Sequence, residues 1–167
     1  MNNIEVIGGS KTQKKYAISM AKYCCKMLMP KMRTLEIEIK VKDFGKDENY
    51  GYAVPLDDCL YPRYFEVEVN KNVRLRRFIE TVAHEMVHVK QYARNELYES
   101  SAKKAHRWHG TWLSNRSRHV KDYWDNPWEI EAHGRECGLF VRWAEEHKHS
   151  NKKWAKNEAD FLPRAKK

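Results

Sequence analysis

Residues 81–92 read TVAHEMVHVKQY, and how this stretch is read decides the rest of the chain. Around it Leu75, Ile79, Val82, Met86 and Val89 recur at helical spacing, with Phe78, Ala83 and Ala93 widening the apolar stripe. The pattern predicts a helix from about Val73 to Leu97. At about 100° per residue, His84 lies about 200° from Val82, and His88 is one turn beyond His84. The histidine pair therefore turns away from the densest part of the stripe and needs either solvent or a second lobe over it. Two imidazoles four residues apart can converge on one metal ion, and Glu85, displaced by one residue, can approach a water beside it. Zn2+ is the cofactor this pattern calls for, acidifying water and polarising a carbonyl, with Glu85 as the base that takes the proton and returns it to a departing amine. The competing reading is a plain amphipathic helix.

Upstream, SKTQKKYAISMAKYCCKMLMPKM carries Tyr16, Met20, Tyr23, Met27 and Leu28 at helical spacing, with Ser10 as a cap and Pro30 as the stop. In TLEIEIKVKDF, Leu35, Ile37, Ile39 and Val41 alternate with Glu36, Glu38, Lys40 and Lys42, as expected of a strand with one wet face. A turn in KDENYGYAVPLDD leads into a short strand from Gly51, which Pro55 marks as an edge or an end. YFEVEVN, Tyr64 to Asn70, is a third alternating strand. One helix, about three strands and a second helix in that order predict an α+β fold, a small mixed or antiparallel sheet packed beneath helices.

The 167 residues suit one domain, with a basic tail from about residue 148. A hydrophobic fraction of 41% and a charged fraction of 33% describe a globular chain, and no run approaches the roughly 20 apolar residues of a bilayer span. The N-terminus lacks the apolar core of a secretory signal, so a cytoplasmic setting, bacterial or host, and no membrane partner are expected. Cys24, Cys25, Cys59 and Cys137 form no C-x-x-C pair and read as reduced thiols. The formal charge of +9 is concentrated in the first quarter and the tail. A solubilising face explains it; nucleic-acid contact is the functional alternative, without any recognition motif to give specificity.

The histidine pair leaves one protein ligand to find. In YWDNPWEIEAHGRECGLF, Asn126 is a good N-cap, Pro127 a good first helical residue, and Glu129 stands in capping-box position three residues after Asn126. That gives Glu129 a structural task and leaves Glu131, on another face, as the carboxylate most available to a metal. His109 in HRWHGTWLSNR is the rival, with His106, His119 and His133 behind it. The aromatic and basic stretch from Ser100 to Trp124 reads as a loop covering a cleft and forming its rim, with Trp108, Gly110 and Trp112 suggesting a short hairpin or loop.

HEMVH followed by Glu131 in NPWEIEA resembles the HExxH-plus-glutamate arrangement of gluzincins, especially their compact bacterial and phage relatives. The resemblance covers the chain from YFEVEVN through the WEIEA helix. It implies a minimal zincin-like fold and hydrolysis of peptide bonds in peptide or protein substrates. His84, His88 and Glu131 would be the metal ligands, Glu85 the catalytic base, and YFEVEVN the strand against which a substrate lies. Where larger gluzincins often place an aspartate four residues after the ligand glutamate, this chain has Arg135; Glu136 or Asp125 could orient the histidine instead. Tyr123 resembles the position of a helpful tyrosine in those enzymes. HRWHG also resembles the histidine–glycine signal of SprT-like proteases, which act on DNA-associated proteins, and there His109 would be the third ligand. A noncatalytic, metal-stabilised binding protein on the same fold is the third possibility.

Overall fold

The computed structural model describes residues 1–46, 49–114 and 120–156. The sequence Asn-Ile-Glu-Val-Ile-Gly at its start forms β1 (Asn3–Gly8), a strand too short to stand out among the polar residues around it. Ser10 then caps α1 (Lys11–Leu28): its Oγ accepts the Gln13 N–H at 3.1 Å while the Gln13 side chain accepts the Ser10 N–H at 2.9 Å. The helix buries Ala17, Met20, Ala21, Cys24, Cys25 and Leu28 and ends two residues before Pro30. β2 (Glu36–Lys42), β3 (Gly51–Pro55) and β4 (Tyr64–Asn70) follow, then α2 (Leu75–Ala93).

The four strands form one mixed sheet in the order β1-β2-β4-β3, with β1, β2 and β4 parallel and β3 antiparallel to β4. Alternation makes the sheet one-sided. Ile37, Ile39, Val41, Phe65, Val67 and Val69 are buried beneath the helices, while Lys40 meets Glu66 at 2.6 Å and Lys42 pairs with Glu68 on the other face. Both sides of β4 are paired, so YFEVEVN is an interior strand and offers no edge to a peptide. The edge nearest α2 is β3, in keeping with Pro55.

α2 contacts the sheet, α1 and a later helix, α4 (Pro127–Glu146). It is buried almost all round from Phe78 to Gln91, so the lobe expected over the histidines is α4. The helix stops at Ala93, short of Leu97, because Asn95 adopts a left-handed conformation (φ 57°) and holds Arg107 through its side chain at 2.6 Å. The aromatic stretch beyond is ordered into a three-stranded antiparallel sheet of β5 (Leu97–Ser100), β6 (Ala105–Trp108) and β7 (Thr111–Ser114). His109 and Gly110, both at positive φ, make the two-residue turn between β6 and β7. A short helix, α3 (Val120–Asp125), leads into α4.

The segment after α4 folds back. Trp143, Tyr16, His149 and Trp154 form an aromatic cluster with Tyr16 edge-on to Trp143 at 5.7 Å, and Arg76 holds the Ala155 carbonyl at 3.1 Å. The basic tail is thus anchored on α2 as far as Lys156; residues 157–167 lie outside the described chain. No described helix is long and apolar enough to cross a membrane.

Candidate metal centre

His84 and His88 project from α2 into its contact with α4, where they are 7% and 8% exposed. The second nitrogen of each ring is committed to an acceptor. Glu136 Oε2 lies 2.7 Å from His84 Nδ1. Gln91 Oε1 lies 2.8 Å from His88 Nδ1, and this amide is oriented by its own donors, since Gln91 Nε2 gives hydrogen bonds to the Trp128 carbonyl at 2.9 Å and to Glu131 at 3.0 Å. A carboxylate and an amide oxygen only accept, so each Nδ1 carries the hydrogen. The two Nε2 atoms are left facing each other at 3.1 Å.

Glu129 completes the constellation. Its Oε2 is 3.4 Å from His84 Nε2 and 3.6 Å from His88 Nε2. Ligand atoms around a tetrahedral ion with bonds of about 2.0–2.1 Å are separated by roughly 3.3–3.4 Å, so this triangle has the dimensions of three corners of such a shell. Two imidazole nitrogens and a carboxylate oxygen are also the donor chemistry that suits zinc. His133 adds a fourth neighbour: it, His84 and Glu129 each offer a ligand atom, all within 4.8 Å of one another. The protein thus contains a buried His/Glu/His cluster able to chelate a divalent cation. Gln91 fixes the His88 ring, whereas His133 turns Nδ1 toward Glu136 at 3.4 Å and its buried Nε2 has no hydrogen-bond partner among the described residues.

Electrostatics follow from the same contacts. Burial alone would lower the His84 pKa, but hydrogen bonds to Glu129 and Glu136 outweigh it and raise the group to about 10. Glu136 is pushed down to about 2: burial opposes the change, and its bonds to His133 and His84 prevail. Burial raises Glu85, against the nearby imidazoles of His88 and His84. His84 lies between the carboxylates of Glu136 and Glu129, which Arg77 and Tyr123 also hold, at 3.2 Å on Glu136 and 2.7 Å on Glu129.

The carboxylate expected to complete the set, Glu131, is not brought to the histidine pair. Its oxygens receive Lys90 Nζ at 2.7 Å, Arg135 Nε at 2.8 Å and Gln91 Nε2 at 3.0 Å, so it touches His88 only through Gln91. Lys90 is itself buried between Glu131 and Glu96. Glu129 is free to reach inward because Asn126, although it caps α4, makes no side-chain cap bond and the expected capping box is not formed. Tyr123 donates its hydroxyl hydrogen to Glu129 Oε2 at 2.7 Å. Glu136 is the group that orients His84, one of the two anticipated. His109 is exposed at the β6–β7 turn with its ring against Trp108, His106 lies against the Trp128 ring, and His119 falls outside the described residues. A sequence signal for the carboxylate that faces the histidines exists: Glu129, His133 and Glu136 are spaced i, i+4, i+7 on one face of α4.

Glu85 stands beside the triangle with its carboxylate under β3. The closeness is measured by Gly51, where an added Cβ would lie 2.7 Å from Glu85 Oε1. A cleft of about 210 Å³ bounded by Tyr52, Val54, Tyr92 and Trp128 and a larger one of about 670 Å³ bounded by Tyr50, Arg77, Trp124 and His133 share Asn49, Gly51, His84, Glu85 and Tyr123. The histidine–glutamate centre therefore sits where two open hollows meet along β3.

No family model matches the chain, and no curated protein or solved structure is significantly similar to it.

Proposed function

We propose that this chain is a zinc-dependent peptide hydrolase, with His84, His88 and Glu129 as the metal ligands and Glu85 as the general base. The observation that carries the reading is the triangle of 3.1, 3.4 and 3.6 Å between ligand atoms whose histidine rings are already oriented by Glu136 and Gln91. Bound there, zinc supplies Lewis-acid polarisation of a carbonyl and acidification of water. Glu85 takes the proton from the attacking water and delivers it to the leaving amine, and its raised pKa matches a group that must both accept and release a proton. Tyr123 holds the ligand carboxylate through its hydroxyl and lines both hollows.

The free edge of β3 supports a peptide as the substrate. Its bonds to β4 use Tyr50 and Leu56, and antiparallel alternation then directs the N–H and C=O groups of Gly51 and Ala53 to the open side, above Glu85. Pro55 has no N–H to offer. An extended peptide added to this edge is thus held chiefly at Gly51 and Ala53, over the reacting centre.

A second reading, a metal that only staples α2 to α4, is favoured by the burial of all three ligands, Glu129 being 7% exposed like His84. Zinc stoichiometry with the anomalous-scattering position of the ion, followed by turnover of a diverse peptide library, separates the two. The hydrolase requires cleavage that Glu85→Gln abolishes at unchanged zinc content. A zinc-loaded wild-type protein that cleaves nothing, yet melts lower when chelated, would leave only the staple.

A further inference from the structure

Between Glu5 and Glu36 the chain has no acidic residue and seven cations: Lys11, Lys14, Lys15, Lys22, Lys26, Lys31 and Arg33. α1 arranges four of them. Relative to Lys11, Lys15, Lys22 and Lys26 lie at about 40°, 20° and 60° around the axis, one stripe about 22 Å long. All four are exposed, and among the described residues only Lys26 is ion-paired, to the exposed Glu146 at 3.1 Å. Arg33 joins the stripe at its C-terminal end, where it lines a hollow with Lys22 and Lys26. At the other end the returning tail adds Lys152, whose backbone N–H donates to the His149 carbonyl at 2.9 Å, and the His149 ring packs on Tyr16, next to Lys15 in the chain.

We propose that this stripe is a docking surface for the phosphate backbone of a nucleic-acid duplex. A duplex carries one phosphate charge per ~1.7 Å of its axis, so a ~22 Å run of cations faces a continuous array of opposite charge of matching extent. An anionic membrane is the poorer fit, because it calls for apolar residues beside the cations and Met27 is the one exposed large hydrophobic residue of α1. α1 packs on β1, at the opposite edge of the sheet from β3, so a duplex bound here leaves the histidine cleft open. The proposal stands whether or not the cleft is catalytic.

Fluorescence anisotropy of the full chain with 20-base-pair DNA and RNA duplexes, from 50 to 200 mM KCl, tests it. Five phosphates neutralised by Lys11, Lys15, Lys22, Arg33 and Lys152 predict a slope of log K against log salt near −4.5, about 500-fold weakening over that range. Combined Lys11→Gln, Lys15→Gln and Lys22→Gln should shrink the slope to about −1.8. A charge-matched control, Lys46→Gln, Lys103→Gln and Lys104→Gln, should leave it unchanged, circular dichroism verifying the fold of both. The DNA and RNA arms identify the duplex, and binding of either supports the proposal. Absence of binding at 50 mM, equal loss in the two triple variants, or capture by 1:3 phosphatidylserine–phosphatidylcholine vesicles at a salt concentration where neither duplex binds would overturn it.

Discussion

Gly51 offers the sharpest test of how the cleft is built. Its backbone is in an ordinary strand conformation, so the glycine is required for space alone. A methyl group there would lie 2.7 Å from Glu85 Oε1, 2.8 Å from the Glu68 carbonyl oxygen and 2.8 Å from Thr81 Cγ2, against an ordinary contact of at least 3.4 Å. The Glu68 carbonyl belongs to the interior strand. Thr81 is fixed by its hydroxyl bond to the Arg77 carbonyl at 2.8 Å. The Glu85 carboxylate is the softest of the three and must retreat by about 0.7 Å, the gap between the two distances. A misplacement of 1 Å in a reacting group costs on the order of 10²-fold, so Gly51→Ala should lower kcat/KM roughly tenfold to a hundredfold.

The accompanying overpacking should destabilise the fold by about 1–3 kcal/mol, a fall in Tm of roughly 2–12 °C for a chain of this size. None of the three nearest atoms belongs to His84, His88 or Glu129, so zinc content should stay at the wild-type level. Kinetics on the best library peptide, a thermal melt and metal analysis of one preparation read all three. A variant with unchanged kcat/KM and unchanged Tm would show that Glu85 does not sit under β3 as described. Loss of zinc would show that the metal and the base are not separable.

Glu129→Gln should weaken zinc binding by about 100-fold or more, roughly 2.7 kcal/mol, whereas Glu131→Gln should change it less than about tenfold and instead cost roughly 1–3 kcal/mol of stability through Lys90. Competition titration with a chromophoric chelator measures the first effect and denaturant unfolding the second; the reverse ranking would restore Glu131 as the ligand. Glu136→Ala strips the acceptor from His84 Nδ1 and should lower zinc affinity about 10–100-fold, and an unchanged affinity would mean that the contact does not orient the ring. In the metal-free protein the His84 pKa is raised from 6.5 to about 10, so its stabilisation is complete below pH 6.5 and fades as pH rises through 10. Glu136, lowered from 4.5 to about 2, contributes above pH 4.5 and loses its contribution as pH falls through 2. Chelated protein should therefore melt highest between these windows and progressively lower toward pH 10, while zinc binding, freed of proton competition, tightens over the same rise. A chelated Tm that is flat from pH 6.5 to 10 would contradict the His84–Glu136 pairing.

The elements that the sequence made legible are those whose pattern and burial agree. Ile37, Ile39 and Val41 alternate because one face of the sheet is wet, and Ser10 caps α1 through bonds made within the first turn, while the Gln13 amide also donates to the Lys71 carbonyl at 3.0 Å. Local rules failed where a distant group set the outcome. The polar role of the His84 face and the helix that covers it, the one opening at Pro127, were both readable; which carboxylate of that helix faces the pair was not. Asn95 ends α2 early because Arg107, on another strand, reinforces its left-handed turn. β1 carries only Ile4 and Val6 on its inner face and depends on pairing with β2 to exist at all. His109 in a left-handed turn is also a conformation that its residue type does not announce.

The choice between Glu129 and Glu131 shows the same limit most clearly, since the two are only two residues apart. A capping-box reading assigned Glu129 to its own helix end, yet the charges along α2 sort the acids of α4. Arg77 pairs with Glu136 at 3.2 Å and His84 approaches Glu129 at 3.4 Å, contacts that share one antiparallel register between the helices. Lys90, two residues beyond His88 and turned about 200° from it, draws Glu131 to the other side at 2.7 Å. Had Glu131 faced the histidines, Lys90 would have kept only Glu96 and Glu129 would have turned away from Tyr123. Which of the two carboxylates faces the histidines is therefore set in part by a lysine that touches neither of them, since Lys90 holds Glu131 on the far side of the α2–α4 contact.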